Sequence, residues 1–289
     1  MNLFLFLALI AVPFSHFYAD SWYVNVPVVT MREAPNDTSE VVSQGYFSEE
    51  VRLLEKNNGF VKIETVLDHY QGFIPESSIV SRGQAFAPSI VRVNQRSAHI
   101  YHVDDLVYGP VCTLPFGSQL ELIGSNNDPE SKFLKIALLD GTEAYIQRGD
   151  VVFTTQALSK KELVAFSQRF LGLPYTWGGK SSFGYDCSGF VQMLYRQMGV
   201  YLPRDSKDQF RFSGFIPVSL DALSIGDLIF FGPAEDKVRH VGMYIGDNQF
   251  IHTSSKENSP YLRISRLSDA FWNGTGEWKF RAGRRLAEK

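Results

Sequence analysis

The chain has 289 residues, a net charge of −3, and 44% hydrophobic against 20% charged residues. That length holds two or three domains with a substantial core, and the composition excludes wholesale disorder. The slight acidity, with no basic stripe interleaved with aromatics, excludes a nucleic-acid binder, and two cysteines, Cys112 and Cys187, fall well short of a disulfide framework.

At the start of the chain, Leu3 to Val12 is an apolar run followed by Pro13 and a candidate cleavage point after Ala19. The run is too short to span a bilayer and resembles the hydrophobic region of a secretory signal. No Lys or Arg precedes it, and Phe17 is a poor residue two positions before the cut; the competing reading is a buried first strand, which would leave the chain cytoplasmic. The expectation is a signal peptide over residues 1–19 and export to the periplasm or the extracellular space. No other window is apolar enough for a membrane span.

From about Val26 to Phe153 the pattern is short runs rich in Val, Ile, Phe and Tyr between turn residues such as Asn57-Asn58-Gly59 and Asp140-Gly141. The stretch also repeats. Val51–Leu54 answers to Leu120–Ile123, Phe60–Ile63 to Phe133–Ile136, Gly72–Ile74 to Ala144–Ile146, and Ile79-Val80 to Val151-Val152. Two copies fit a pair of small barrels better than a propeller or solenoid, which need more repeats. Ser81 to Pro88 reads as the connection between them.

Ser159-Lys160-Lys161-Glu162 is a capping box that opens a helix with Leu163, Phe166 and Phe170 on one face, ended by Gly172-Leu173-Pro174. The next stretch, from Pro174 to Gly184, is too rich in glycine and proline for helix or strand. From Ser188, residues Phe190, Val191, Leu194, Tyr195 and Met198 define one apolar helical face closed by Gly199. A polar loop, a strand over Asp227 to Phe231, a hairpin over Val238 to Thr253 and a closing strand around Trp278-Lys279-Phe280 complete an α+β layout.

Cys187 thus sits where a glycine-rich loop enters a buried helix. Unpaired N–H groups and the positive end of the helix dipole there favour thiolate over thiol, and Gly189 leaves the surroundings of the sulfur open to a substrate. A cysteine nucleophile needs a base and a group that orients the base. On the hairpin, His240 and His252 share one face if the turn is the three residues Gly246-Asp247-Asn248, with Ile245 opposite Gln249 and His252 opposite Gly242; a two-residue turn would separate them. His69, His99 and His102 lie in the repeats with no nucleophile nearby in sequence. Zinc is the rival use of Cys187, His240 and His252, but no Cys-x-x-Cys or His-x-x-x-His spacing supports it, so no metal or cofactor is expected.

Asp186-Cys187-Ser188-Gly189-Phe190, His240-Val241-Gly242-Met243-Tyr244-Ile245-Gly246 and Phe250-Ile251-His252 together resemble the NlpC-type cell-wall cysteine peptidases, a papain-like family. The first 150 residues look like two bacterial SH3-type domains, the usual partners of such enzymes. The resemblance implies an α+β papain-like domain over residues 156–289, preceded by SH3-type barrels over 20–82 and 83–155. It assigns Cys187 as nucleophile, His240 as base and His252 as orienter. It implies hydrolysis of the bond between γ-D-glutamate and a diamino acid in peptidoglycan stem peptides or muropeptides. Further along, Tyr175 and Trp177 match the segment lining the acyl-side pocket, and Asp186 the residue that pairs with the amine of an N-terminal L-alanine. Ser188 and Ser206 match residues that hold the D-glutamate carboxylate. Asp186 beside the nucleophile is otherwise hard to account for, except as a helix cap, because it disfavours a second negative charge on sulfur. Tyr175 and Trp177 could equally be core aromatics. The rival functions are an amidase or acyltransferase on the same scaffold, and a non-catalytic wall-binding protein.

Overall fold

The computed structural model describes residues 21–83, 86, 89–124, 130–256, 258–272 and 278–287. The expected signal peptide over 1–19, and part of the connection over 81–88, lie outside the described residues.

The first sheet comprises β1 (Ser21–Val24), β2 (Val28–Arg32), β3 (Val41–Tyr46), β4 (Glu50–Asn57), β5 (Phe60–Thr65), β6 (Gln71–Pro75) and β7 (Ile79–Arg82). Its spatial order is β3-β2-β6-β5-β4-β1-β7. The second comprises β8 (Ile90–Val93), β9 (Ser97–Tyr101), β10 (Cys112–Pro115), β11 (Gln119–Leu122), β12 (Phe133–Ala137), β13 (Glu143–Gln147) and β14 (Val151–Val152), in the order β10-β9-β13-β12-β11-β8-β14. Adding seven to each strand number of the first order yields the second. The matched segments in the sequence therefore occupy matched strands: β4 with β11, β5 with β12, β6 with β13, β7 with β14. Alternation sets the inward face in each copy: Val61, Ile63 and Ile74 fill one core, Leu134, Ile136 and Ile146 the other. The β4–β5 hairpin closes through Asn58 and Gly59, both at positive φ (48° and 81°), a conformation that Asn and Gly adopt most readily.

The third unit opens with α1 (Lys160–Gln168), whose capping box is formed in both directions between Ser159 and Glu162. Then come β15 (Lys180–Ser181), β16 (Gly184–Tyr185), α2 (Cys187–Arg196), α3 (Ser206–Phe210), β17 (Phe215–Val218), β18 (Leu228–Gly232), β19 (His240–Gly246), β20 (Gln249–Ser254), β21 (Tyr261–Arg266) and β22 (Lys279–Leu286). Six of these strands form one antiparallel sheet, β17-β22-β18-β19-β20-β21. On one face, Phe190, Val191, Leu194 and Tyr195 of α2 pack on Phe230, Val241, Met243 and Ile251. On the other, Phe231 and Phe250 are covered by Trp272. β18 is buried on both sides, which is why its sequence LIFFG is continuous rather than alternating. Each fully buried side chain of this size contributes about 1.5–3 kcal/mol, so α2 is fixed against the sheet that carries the histidines.

Two details depart from the sequence reading. The glycine-rich loop is not wholly irregular, because β15 and β16 pair within it as Lys180↔Tyr185 and Ser181↔Gly184; pairs this short leave no periodicity to read. The loop after Gly199 also holds α3 and β17. α3 is too short to show a helical period, and β17 carries Pro217 on an edge strand, where proline is tolerated.

Candidate active site

The Asp186 carboxylate accepts from the Gly189 N–H at 2.7 Å and starts α2, so Cys187 is the first helical residue. Gly189 does not open space for substrate as expected. A Cβ there would meet the Gly179 carbonyl oxygen at 2.2 Å, so the glycine lets the preceding loop lie on the helix. The thiolate expectation is also reversed. Burial pushes the Cys187 thiol up to about 12, and the Asp186 carboxylate adds to the effect; the Val241 and Ser188 N–H groups and Arg204 oppose it without prevailing. Loss of solvent outweighs the helix terminus here and favours the neutral thiol at rest, although Cys187 is half-buried and lines the cleft.

The hairpin places the two histidines by a different device from the one expected. Asp247 and Asn248, at φ 50° and 58°, make a two-residue turn with Gly246 opposite Gln249. A bulge at Ile245 then restores the register, with Tyr244↔Phe250 and Met243↔Ile251. Continuing that ladder sets His252 across from Gly242, and a Cβ on Gly242 would lie 3.1 Å from His252 Cβ and 2.8 Å from Phe250 Cδ2. The extra residue offsets the shorter turn, so the histidines keep one face.

His240 Nε2 and His252 Nδ1 are 3.0 Å apart, and His252 Nε2 is 2.9 Å from Ser265 Oγ on β21. With Nε2 engaged, Nδ1 is the nitrogen of His240 left for the cleft. Trp272, buried, stacks on the His240 ring at a centroid distance of 5.1 Å and meets the His252 ring edge-on at 5.0 Å. Burial, reinforced by Arg263, lowers His240 to about 3. His252 is depressed by burial, then by His240 and Arg263. Both imidazoles are neutral at rest. Neither Ser265 nor Trp272 has a local sequence signal: each lies beyond the histidine motif and reaches the rings only through sheet pairing and a returning loop.

Cys187 and His240 line a cleft of about 580 Å³ together with Tyr175, Trp177, Asp186, Ser188 and Ser206. Of the expected site residues only His252 stands behind the cleft wall, in contact with His240. Trp177 is 63% exposed and donates from Nε1 to the Val41 carbonyl at 2.9 Å, so it is a cleft residue rather than a core aromatic. Tyr175 is half-buried, and its hydroxyl pKa is raised by burial and then by Cys187 and Asp186. His69 and His99 are elsewhere, beside Glu64 and Thr113 in the two barrels.

A cation already faces Asp186. Arg204, buried, reaches both carboxylate oxygens, at 2.6 Å and 3.1 Å, donates to Ser188 Oγ at 2.9 Å, and reaches Ser43 of the first barrel from Nε at 3.0 Å. This guanidinium accounts for a buried acid next to the nucleophile, and its pKa is pushed up although burial pulls it down, because Asp186 more than offsets the loss of solvent. The first barrel forms the opposite lip with Glu40, Val41, Val42 and Tyr70, the Tyr70 hydroxyl lying 3.5 Å from Asp205 Oδ1.

Residues 172–276 match the NlpC/P60 family, and residues 31–79 match the bacterial dipeptidyl-peptidase Sh3 domain. A gamma-D-glutamyl-L-lysine dipeptidyl-peptidase of Bacillus cereus is 30% identical over 244 residues, 77% of this chain and 70% of that protein. Its namesake in Bacillus subtilis is 36% identical over 162 residues, 55% of this chain and 52% of that one, so the chain spans about half of its length. In overall fold the chain is similar to the crystal structure of an NlpC/P60 family protein from Bacillus cereus, at a TM-score of 0.76 and 23% identity, covering 93% and 99% of the two chains. With the cysteine at a helix start, two imidazoles on a neighbouring ribbon and this extent of likeness, the chain belongs to the NlpC/P60 family.

Proposed function

We propose that the chain is a cysteine endopeptidase that hydrolyses the γ-D-glutamyl–diamino acid bond of peptidoglycan stem peptides through a thioester. Cys187 is the nucleophile, His240 the base and His252 its orienter. The observation that carries this reading is the 3.0 Å contact between the two imidazoles, with His240 in the same cleft wall as Cys187. His240 Nδ1 takes the thiol proton as sulfur attacks the γ-carbonyl carbon. The resulting oxyanion is held by the Cys187 N–H, which as the first of α2 has no intrahelical acceptor, with the Tyr175 hydroxyl as second donor. His240 then gives its proton to the leaving amine. Water, deprotonated by the same nitrogen, splits the thioester and regenerates the thiol.

The relatives named gamma-D-glutamyl-L-lysine dipeptidyl-peptidases support this bond. The first barrel across the cleft, tied to the catalytic unit through Trp177 and Val41, supports small peptides over intact wall. We assign the D-glutamate carboxylate to Ser188 and Ser206, and the peptide amine to Asp186. Asp186 Oδ1 already has three partners, whereas Oδ2 has Arg204 alone and can accept once more. Residues 20–82, 83–155 and 156–289 are taken as the three domains, and export after removal of 1–19 would bring the enzyme to its substrate. No helix among the described residues is long and apolar enough to cross a membrane.

Mass spectrometry of defined stem peptides, with free or muramyl-capped L-alanine, tests the reading. Cleavage between D-glutamate and the diamino acid by wild type and not by Cys187→Ala is expected. Equal cleavage by the variant removes the mechanism, and equal cleavage of capped and free peptides removes the amine assignment.

A further inference from the structure

The hydrogen-bonded file behind the cleft runs from His240 Nε2 to His252 Nδ1 at 3.0 Å and from His252 Nε2 to Ser265 Oγ at 2.9 Å. All three side chains are buried, with exposures of 3%, 0% and 8%, so water is a poor substitute for any member. A neutral imidazole has one N–H and one lone pair. Two arrangements therefore satisfy both contacts. In one, His240 donates from Nε2 to His252 Nδ1, and His252 donates from Nε2 to Ser265 Oγ. In the other, every proton is reversed: Ser265 donates to His252 Nε2, His252 donates from Nδ1 to His240 Nε2, and His240 carries its proton on Nδ1. The second arrangement cannot remove a proton from Cys187, because the nitrogen facing the cleft is already protonated.

We propose that Ser265 is a positioning residue that sustains the active tautomers of both imidazoles, above all once His240 is protonated, by accepting a hydrogen bond from His252 Nε2. The inference rests on the reading of His240 as the base. Once His240 has taken the thiol proton it carries hydrogens on both nitrogens, and its Nε2–H needs the lone pair of His252 Nδ1. His252 must then keep its own hydrogen on Nε2, and among the described residues Ser265 Oγ is the acceptor placed to meet it. A hydroxyl suits this post because it accepts in the active arrangement without adding a charge to the file. The role differs from that of His252: Ser265 touches neither sulfur nor base and acts only through the ring between.

Replacing the hydroxyl leaves the His252 Nε2–H buried and unpaired in the active arrangement, which lowers kcat by about tenfold to a hundredfold while leaving substrate contacts intact. The test uses the full chain with two isosteric variants suited to a strand, Ser265→Thr, which keeps the hydroxyl, and Ser265→Val, which does not. Expected are near-wild-type kcat for Ser265→Thr, the stated loss for Ser265→Val, and KM unchanged in both. Nitrogen NMR of the side chains should show His252 protonated on Nε2 in wild type and shifted towards Nδ1 in Ser265→Val. Equal kcat in the two variants, or a wild-type His252 protonated on Nδ1, overturns the inference. Failure of the underlying reading shows separately, as undiminished turnover by His240→Ala.

Discussion

His240 and His252 lie beneath Trp272 and Phe250, so protonating either ring places a charge where little water is left to solvate it. In the unfolded chain both titrate near 6.5, whereas the folded His240 is held at about 3 and His252 is also depressed. Between those values the unfolded state binds protons that the folded state refuses. The stabilisation is therefore full above 6.5 and is lost as pH falls towards the folded values, at about 1.4 kcal/mol per pH unit for each ring. Denaturant titrations over this acid window should show a slope reduced by about that amount in His252→Gln relative to wild type; an unchanged slope would mean that the ring is not buried neutral. The sulfur obeys the same physics from the other side. With its thiol pushed up to about 12, alkylation of Cys187 by iodoacetamide should accelerate about tenfold per pH unit through the neutral range, with no plateau below about pH 8. A plateau near neutrality would establish a resting thiolate instead. Peptide turnover needs no such thiolate, since the proton moves to His240 as the bond to carbon forms.

Within the elements, the hairpin shows what a sequence can and cannot specify. Tyr244 pairs with Phe250 across five intervening residues, and that pairing sets His252 across from Gly242. It does not choose between a three-residue turn and a two-residue turn with a bulge. Positive φ at Asp247 and Asn248 decides for the latter, since Asp and Asn tolerate that region better than other side chains. The apolar face of α2 and the capping box of α1 were legible for a related reason, being patterns of contiguous residues. Arg204, Ser265 and Trp272 were not, because what they do depends on which distant element meets them. Gly242 tests the register directly. In Gly242→Ala the new methyl would crowd Phe250 Cδ2 and His252 Cβ, and the ring pair would have to move apart. We expect at least a tenfold fall in kcat with a modest stability loss of about 1–3 kcal/mol from overpacking. A fully active variant would mean that the two rings tolerate a looser contact than the 3.0 Å observed.

Across the whole molecule, the repeat was readable because duplicated sequence keeps its strand order, but the way the barrels seat on the catalytic unit was not. That seating combines Phe116, packed among Phe166 and Phe170, with single polar side chains far apart in the chain. Phe116 N–H donates to Ser182 Oγ at 2.8 Å, and Gln192 of α2 donates to Asp68 at 2.8 Å. Lys180, on the loop leading to Cys187, contacts Glu49 at 2.6 Å and Asp68 at 3.7 Å, with all three side chains at most 6% exposed. Burial raises Glu49 in spite of its lysine, and its Oε2 has no hydrogen-bond partner; Arg196 and Arg204 act on the two acids from further off, and Lys180 is the cation in contact with both. Lys180→Met would leave two carboxylates buried together and cost about 3–5 kcal/mol near neutral pH, the range for breaking a buried pair from one side. The sign of its pH dependence follows. Without the lysine Glu49, already raised by burial, climbs further and Asp68 loses the charge that holds it low, so the penalty grows as pH climbs through about 4 and shrinks below it, where both states are protonated. Denaturant midpoints of Lys180→Met and wild type should therefore converge towards acid pH, and adding Glu49→Gln and Asp68→Asn should recover most of the loss at neutrality. Because β15 also lies on the path to the nucleophile, Lys180→Met should lose activity in step with its unfolding. A variant that stays folded at neutral pH with wild-type midpoint would show that the Lys180 cluster does not hold the barrels in place.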